Sequence, residues 1–466
     1  MAQVIQERRG LGAARNAGIS AEDRAPFGWA PFVVLFLVGL VDRVEHSLLS
    51  GVLPLIQAEW GFSDTLAGSI PTAGAIAAAL VVMPAGYLAD RYNRTRIIAV
   101  VVFVWALATM GSGLAAGFAM FYMMRVVLAA AENIDNPASG SLLADYYPQV
   151  NRPKVFGWVR ITSYLGGLGT ILGGVLGQAL GWRTAFMIMV VPGILVAVLA
   201  WFLKEPPRGF LDRVAAVGSK EPTPVPKPAA AAKGGAVEGI AKRMPGPHFK
   251  TQLKDVLRVP TLVLVGFSIG LLTIGVAGVF FWLPSLIVRR FGEDAGTAAT
   301  ISGLITLVGV IAGTAIGSYF APRVHSRFKG GMLVLAGAGI TVGASLLFVV
   351  LRMPSLLAYG VLLVISVAIM SISIPTATAA LADTVPADSR GLGFALLQFL
   401  LTGGTALGPL TVGVLSDLTG SLLTGISLTV SPLVIGGLFT LVLGRRFYDR
   451  DAARVLEAAR GETPPT

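Results

Sequence analysis

Residues 137–156 read PASGSLLADYYPQVNRPKVF, and 238 positions later residues 375–394 read PTATAALADTVPADSRGLGF. Seven of these twenty positions are identical without a gap, among them Ala144 with Ala382, Asp145 with Asp383 and Arg152 with Arg390. The likeness extends outward. Leu53 and Pro54 close the first apolar segment much as Leu283 and Pro284 close the seventh. The chain is therefore built from two related halves, and an internal repeat speaks for a fold far more strongly than for a substrate. Two parallel six-helix halves are a transporter architecture, with the substrate site between them near mid-membrane.

Composition agrees. Of 466 residues, 54% are apolar and only 13% charged. A soluble protein usually carries about 25% charged residues, so too little charge is present to surface ordinary cytosolic domains. Disorder is excluded because it needs low hydrophobicity. A membrane-crossing helix takes about 20 apolar residues, and twelve of them absorb nearly the whole apolar content. Mean hydropathy of +0.75 fits an integral membrane protein with little mass outside the lipid. Cysteine is absent, which removes disulfides and thiolate metal sites. His46, His248 and His325 lie far apart and show no metal-ligand spacing. No metal and no cofactor is expected beyond a coupling proton. No nucleophile–base pair or phosphate loop supports an enzyme.

Apolar segments run near 29–56, 66–88, 97–117, 119–143, 155–179 and 184–203, then near 259–287, 297–320, 331–351, 355–381, 391–415 and 422–444. The expected class is an all-α membrane protein with twelve transmembrane helices in two pseudo-symmetric halves. It divides into a tail (1–28), a six-helix bundle (29–204), a linker (205–257), a second bundle (258–445) and a tail (446–466). Residues 1–28 lack the apolar core of a cleavable signal. The linker contains EPTPVPKPAAAAKGGAVEG, a composition that cannot bury a core and reads as flexible coil. HFKTQLKDVLRVP after it reads as a short surface helix.

The net charge of +11 is topogenic. The N-terminus, even-numbered loops, linker and C-terminus hold 29 Lys and Arg, and the odd-numbered loops hold four: Arg183, Arg289, Arg290 and Arg352. By the positive-inside rule both termini and the linker are cytoplasmic, in a plasma (inner) membrane. No basic polar domain exists to hold nucleic acid.

Ionisable groups inside apolar segments are costly, about 2.5–3.5 kcal/mol at mid-membrane, and are functional candidates. All lie in the first half: Asp42, Arg43, Glu45 and His46 in the first segment, Arg125, Glu132 and Asp135 in the fourth, Arg160 in the fifth. The repeat partners of Arg125, Glu132 and Asp135 are Leu363, Met370 and Ser373. Asp42, Glu45 and His46 stand at i, i+3 and i+4, on one side of a helix. Glu45 is expected near the outer end, solvated. A proton-coupled carrier needs a carboxyl that changes protonation between states, and burial and a neighbouring guanidinium pull its proton affinity in opposite directions. A static ion pair that only orients the first and fourth helices is the alternative. Gly169, Gly173 and Gly177, and likewise Gly309, Gly313 and Gly317, form small-residue faces that permit close helix contact.

Residues 86–94 read GYLADRYNR. This resembles the signature loop of the major facilitator superfamily, Gly-x-Leu-Ala-Asp-Arg-x-x-Arg. The second-half counterpart SYFAPRVHSR (318–327) has Pro322 in place of the Asp, and GWRTAF (181–186) also resembles the superfamily at its sixth helix. The resemblance implies a cytoplasmic gate built from Gly86, Asp90, Arg91, Arg94, Asp145 and Arg152. It also implies contact between the fifth and eighth helices across the halves. GLVDR (39–43), GVLP (51–54) and RVVLAAAE (125–132) look like the Spinster branch, whose members are associated with sphingosine phosphate and lysophospholipid transport. AENID (131–135) departs from that branch, which usually has Gly before the Glu. On this likeness Asp42 and Glu132 take the proton-coupling role, and Arg43 and Arg125 take an anionic headgroup. His46 and Asp135 border the substrate, and Met370 stands on the apolar opposite wall. The expected function is proton-coupled transport of amphiphilic lipid, lysophospholipid or sphingoid-like, by alternating access. The expected partners are that substrate and membrane lipid, with the protein a monomer. Rival readings are a proton-driven multidrug exporter, a proton symporter of small organic anions or sugars, and a transport-dead receptor.

Overall fold

The computed structural model describes residues 25–209, 211, 253–254, 256–327, 330–385 and 390–460. The central part of the linker and both outermost tails, including residues 222–239, lie outside the described residues. Fourteen helices longer than one turn form twelve spans among the described residues. In the first half these are α1 (Ala30–Trp60), α2 (Asp64–Arg91), α3 (Arg94–Gly113), α4 (Phe118–Tyr146), α5 (Arg152–Ile161), α6 (Gly166–Leu180) and α7 (Trp182–Trp201). In the second half they are α8 (Pro260–Phe291), α9 (Ala295–Arg327), α10 (Gly331–Val350), α11 (Leu356–Ser371), α12 (Ser373–Thr384), α13 (Arg390–Thr419) and α14 (Leu422–Arg460). A short 3₁₀ turn, Thr162–Tyr164, joins α5 to α6 as one span, and α11 and α12 form another.

Among the described residues, ten of the twelve spans contain a stretch long and apolar enough to cross a membrane by length and composition. The other two are α1 and α4, which are long enough at 31 and 29 residues but carry the buried charges. The repeat is visible in the geometry. α4 runs 118–146 and the pair α11–α12 runs 356–384, a shift equal to the sequence offset. α1 and α8 are ended alike, by Gly61 (φ 63°) and Gly292 (φ 70°) in the left-handed conformation, which a side chain would strain. The last helix runs on to Arg460, well into the segment read as a tail, and Asp451 in that extension accepts from the Thr261 N–H at the start of α8. Leu253, Lys254, Val256 and Leu257 are helical, in keeping with a short helix before α8.

Each half has its own apolar core. Trp105, Phe121 and Phe186 centre the first, and Trp282, Leu283 and Tyr359 the second. The two small-residue faces do not make the contact between halves. A Cβ on Gly169 or Gly173 would strike the carbonyl oxygens of Val44 or Leu48 on α1, and one on Gly309 or Gly313 would strike Val367 or Ala368 on α11. These faces therefore pack inside their own halves. The fifth and eighth spans do meet, through a different set: Gly167 against Gly303, and Gly174 against Ala299. The four-residue spacing identifies a face and leaves its neighbour open. α6 is packed on both sides, so glycines recur on both.

On the side opposite the linker the halves are closed. Gly68 of α2 lies against the Pro409 carbonyl of α13, Gly413 against that of Asp64, and the Thr72 hydroxyl donates to Ala406 O at 2.7 Å. Towards the linker side a cavity of about 440 Å³ opens between Tyr164 and the second half.

Candidate functional site

α1 and α4 bring the first-half charges together. Arg43 Nη2 lies 3.6 Å from Asp42 Oδ2, and His46 Nδ1 lies 3.5 Å from Glu132 Oε2. Asp42 also sits in the fields of Glu132 and Asp135, so three carboxyls share one region. The Ser139 hydroxyl donates to Asp135 Oδ2 at 3.3 Å. The side chains of Arg43 and His46 are 40% and 49% exposed, whereas that of Glu132 is 7% exposed.

Two placements differ from the sequence expectation. Glu45 is fully buried rather than solvated. At 100° per residue it lies 60° round α1 from Asp42, and the edge of the bundle falls between them. The Thr109 hydroxyl of α3 donates to Glu45 Oε1. Arg125 turns the same way. It is 4% exposed, stands over the Phe186 ring at 5.6 Å and lies 3.9 Å from Glu45. It faces the bundle interior and not the cavity, so in this conformation it has no path to a headgroup. Arg160 is exposed, one helical turn before Tyr164.

The cavity beside Tyr164 has an apolar second-half wall. Val310, Ile374, Pro375, Ala379, Ala382 and Phe394 line it, with the hydroxyls of Thr314 and Thr378 among them. Met370 is not part of it. At 3% exposure it belongs to the second-half core, pressed on Gly343 of α10. Its repeat partner Glu132 reaches His46, but α11 turns the Met370 position into its own bundle.

The loop after α2 works within the first half here. Arg94 is fully buried and donates to Asp145 Oδ2 at 2.5 Å, Glu205 Oε1 at 2.9 Å and Ser141 Oγ at 2.8 Å. Asp145 also receives the Gly209 N–H, and Arg208 donates to the Ala89 carbonyl, so residues 205–209 dock under this loop. Arg152 Nε donates to the Ala144 and Tyr147 carbonyls, tying α5 to the end of α4. Arg91 is exposed beside the Tyr87 ring, and the Asp90 side chain lies outside the described part. Nothing lies within 4 Å of a Cβ placed on Gly86, so no close helix approach depends on it in this conformation.

A junction that the sequence reading missed closes the opposite side. Asp64 at the start of α2 accepts two bonds from Arg289 of α8, one from Ser416 of α13 and one from Gln57. Asp417 in turn accepts from the Asp64 and Thr65 backbone N–H groups, capping α2 from the other half. Nearby, Glu59 binds Arg183 through two 2.7 Å bonds and takes the Trp182 indole N–H, which gives GWRTAF its physical task.

A two-fold repeat of six spans, closed between the halves on one side and carrying a buried charge cluster on α1 and α4 of the first half, is the architecture of a membrane carrier. A model of the Major Facilitator Superfamily matches residues 35–409, and the chain belongs to that family. It is a multi-pass membrane protein and a secondary transporter. It is 25% identical to the cis,cis-muconate transport protein of Acinetobacter baylyi, over 83% of this chain and 87% of that one. It is 26% identical to protein spinster homolog 1 of Homo sapiens, over 82% and 72%. Among solved structures, a bacterial homolog of the human lysosomal transporter Spinster, inward-facing and unoccupied, superposes with TM-score 0.71 at 21% identity, covering 94% of this chain and 98% of that one.

Proposed function

We propose that this transporter carries an amphiphilic lipid, lysophospholipid or sphingoid-like, driven by protons. The observation that carries the reading is an exposed cation beside a carboxyl in the first half together with an apolar cavity lining in the second. Arg43 is the cation exposed beside Asp42, and it takes an anionic headgroup by charge-assisted hydrogen bonds. The wall from Val310 to Phe394 offers apolar surface to a tail. Asp42 and Glu132 carry the coupling proton, with His46 Nδ1 3.5 Å from Glu132 Oε2. With the 29 Lys and Arg of the linker side in the cytoplasm of a plasma membrane, the present conformation is inward-open. The Asp64–Arg289 junction is then the outer closure.

A second reading is a compact organic acid, favoured by the muconate carrier among the relatives. A carboxylate would use Arg43 equally well and leave the apolar wall unfilled. Uptake into proteoliposomes, with and without an inward-acid gradient, separates the two. Gradient-dependent uptake of a lysophospholipid series, lost in Asp42→Asn, supports the lipid reading. Uptake of muconate with no uptake of any lysolipid overturns it.

A further inference from the structure

Arg125 is a buried cation without a hydrogen bond at Nη1 among the described residues, although Glu45 Oε1 stands 3.9 Å away. Glu45 Oε2 also lacks a hydrogen-bond partner. A settled buried ion pair closes to about 2.7–2.9 Å and uses its remaining atoms, because only then does attraction offset desolvation. This pair is instead loosely engaged. Glu132, on the same face of α4 and about 10 Å along its axis, adds a second negative field at Arg125. One guanidinium thus answers to two carboxylates, Glu45 at 3.9 Å and Glu132 about two turns along α4. The Thr109 hydroxyl keeps a donor on Glu45 whether or not Arg125 is near. One oxygen of Glu45 therefore keeps a donor when the cation leaves.

We infer that Glu45 is a positioning residue for Glu132: it holds Arg125 in the bundle interior while Glu132 is protonated, and yields it when Glu132 ionises. This rests on the proposed coupling role of Glu132. The other charged groups facing this cluster are Asp42, Arg43 and His46 from α1 and Asp135 from α4. α3 contributes the Thr109 hydroxyl and α7 the Phe186 ring. The proton released by Glu132 passes to the cavity at His46, 3.5 Å away. Arg125 moving toward the new carboxylate then compensates its charge.

The test needs no substrate. Infrared difference titration of the purified full-length protein in lipid follows the protonated carboxyl band of Glu132, recognised by its loss in Glu132→Gln. In Glu45→Gln, with Arg125 no longer detained, that band should bleach about one pH unit lower than in wild type, a tenfold change in proton affinity. Thr109→Val, which leaves Glu45 more dependent on the cation, should move it the opposite way by less. In an Arg125→Lys background, where the shorter cation cannot bridge, Glu45→Gln should have little effect. An undiminished shift in that background means that Glu45 acts by its own charge alone, and the inference fails. An unchanged midpoint in Glu45→Gln, at unchanged thermal stability, also overturns it while leaving the coupling role intact. A Glu132 band that never titrates in wild type overturns both.

Discussion

Arg289 meets Asp64 with two parallel hydrogen bonds of 2.7 Å and 2.6 Å, joining α8 to α2 across 225 positions of sequence. Ser416 of α13 donates to the same carboxylate at 2.6 Å, so three helices from both halves converge on one side chain. The Arg289 side chain is 42% exposed, and solvent screens its share of the attraction. Asp64→Asn should still loosen this closure by ~1–2 kcal/mol, moving the balance roughly five- to thirty-fold toward the state open on that side. Spin labels at the facing ends of α2 and α8 read the distance directly, and the native chain has no cysteine to remove. An unchanged distance distribution would reduce the junction to a surface contact.

Asp42→Asn should abolish accumulation driven by a pH gradient while sparing substrate binding. Asn resembles the neutral carboxyl and cannot ionise. Exchange of labelled for unlabelled substrate, which needs no net proton movement, should persist in the same variant. Accumulation against a gradient by Asp42→Asn would remove Asp42 from the coupling scheme.

Arg94→Ala acts on stability first. It leaves Asp145 and Glu205 without their buried cation, a loss of about 3–5 kcal/mol for a broken buried network. The melting temperature should fall by several degrees. Arg91→Ala, whose side chain is exposed, should stay within about 0.5 kcal/mol of wild type. Equal melting temperatures for the two variants would contradict the geometry of the cluster.

Headgroup and tail should be separable by mutation. Arg43→Ala should weaken binding of phosphate-bearing lysolipids about tenfold or more, since charge-assisted bonds contribute about 1.5–3 kcal/mol. Ile374→Gln, on the other wall, should penalise long chains over short ones. Met370→Gln should do neither and lower stability instead, because it buries an amide in the second-half core. Binding isotherms over a series varied in head and in chain length distinguish these outcomes.

The fold was legible because its signal is collective. The twenty-residue repeat carried the offset that the helix bounds of α4 and α11–α12 obey. That α1 and α4 carry the buried charge was also legible, since charge has few places to stand in an apolar helix. Other features depend on facts no local pattern holds. Asp64 and Asp417 lie 353 positions apart and look like ordinary helix-end acids. Glu45 shares a helical side with Asp42, yet 60° of rotation separates solvent from interior. Met370 follows its repeat partner in register but not in surroundings, because the second half turns that position toward α10.

Gly169 and Gly173 are pressed on α1, and Gly309 and Gly313 on α11. Because those seams lie inside each half, each six-span unit should assemble without the other, and the peptide link between them is a tether. A gene severed between the codons of Pro222 and Gly239 should then yield two fragments that find each other in the membrane and restore transport. The joined chain would owe to its linker an equal supply of both halves and a short search, while the architecture itself is written twice.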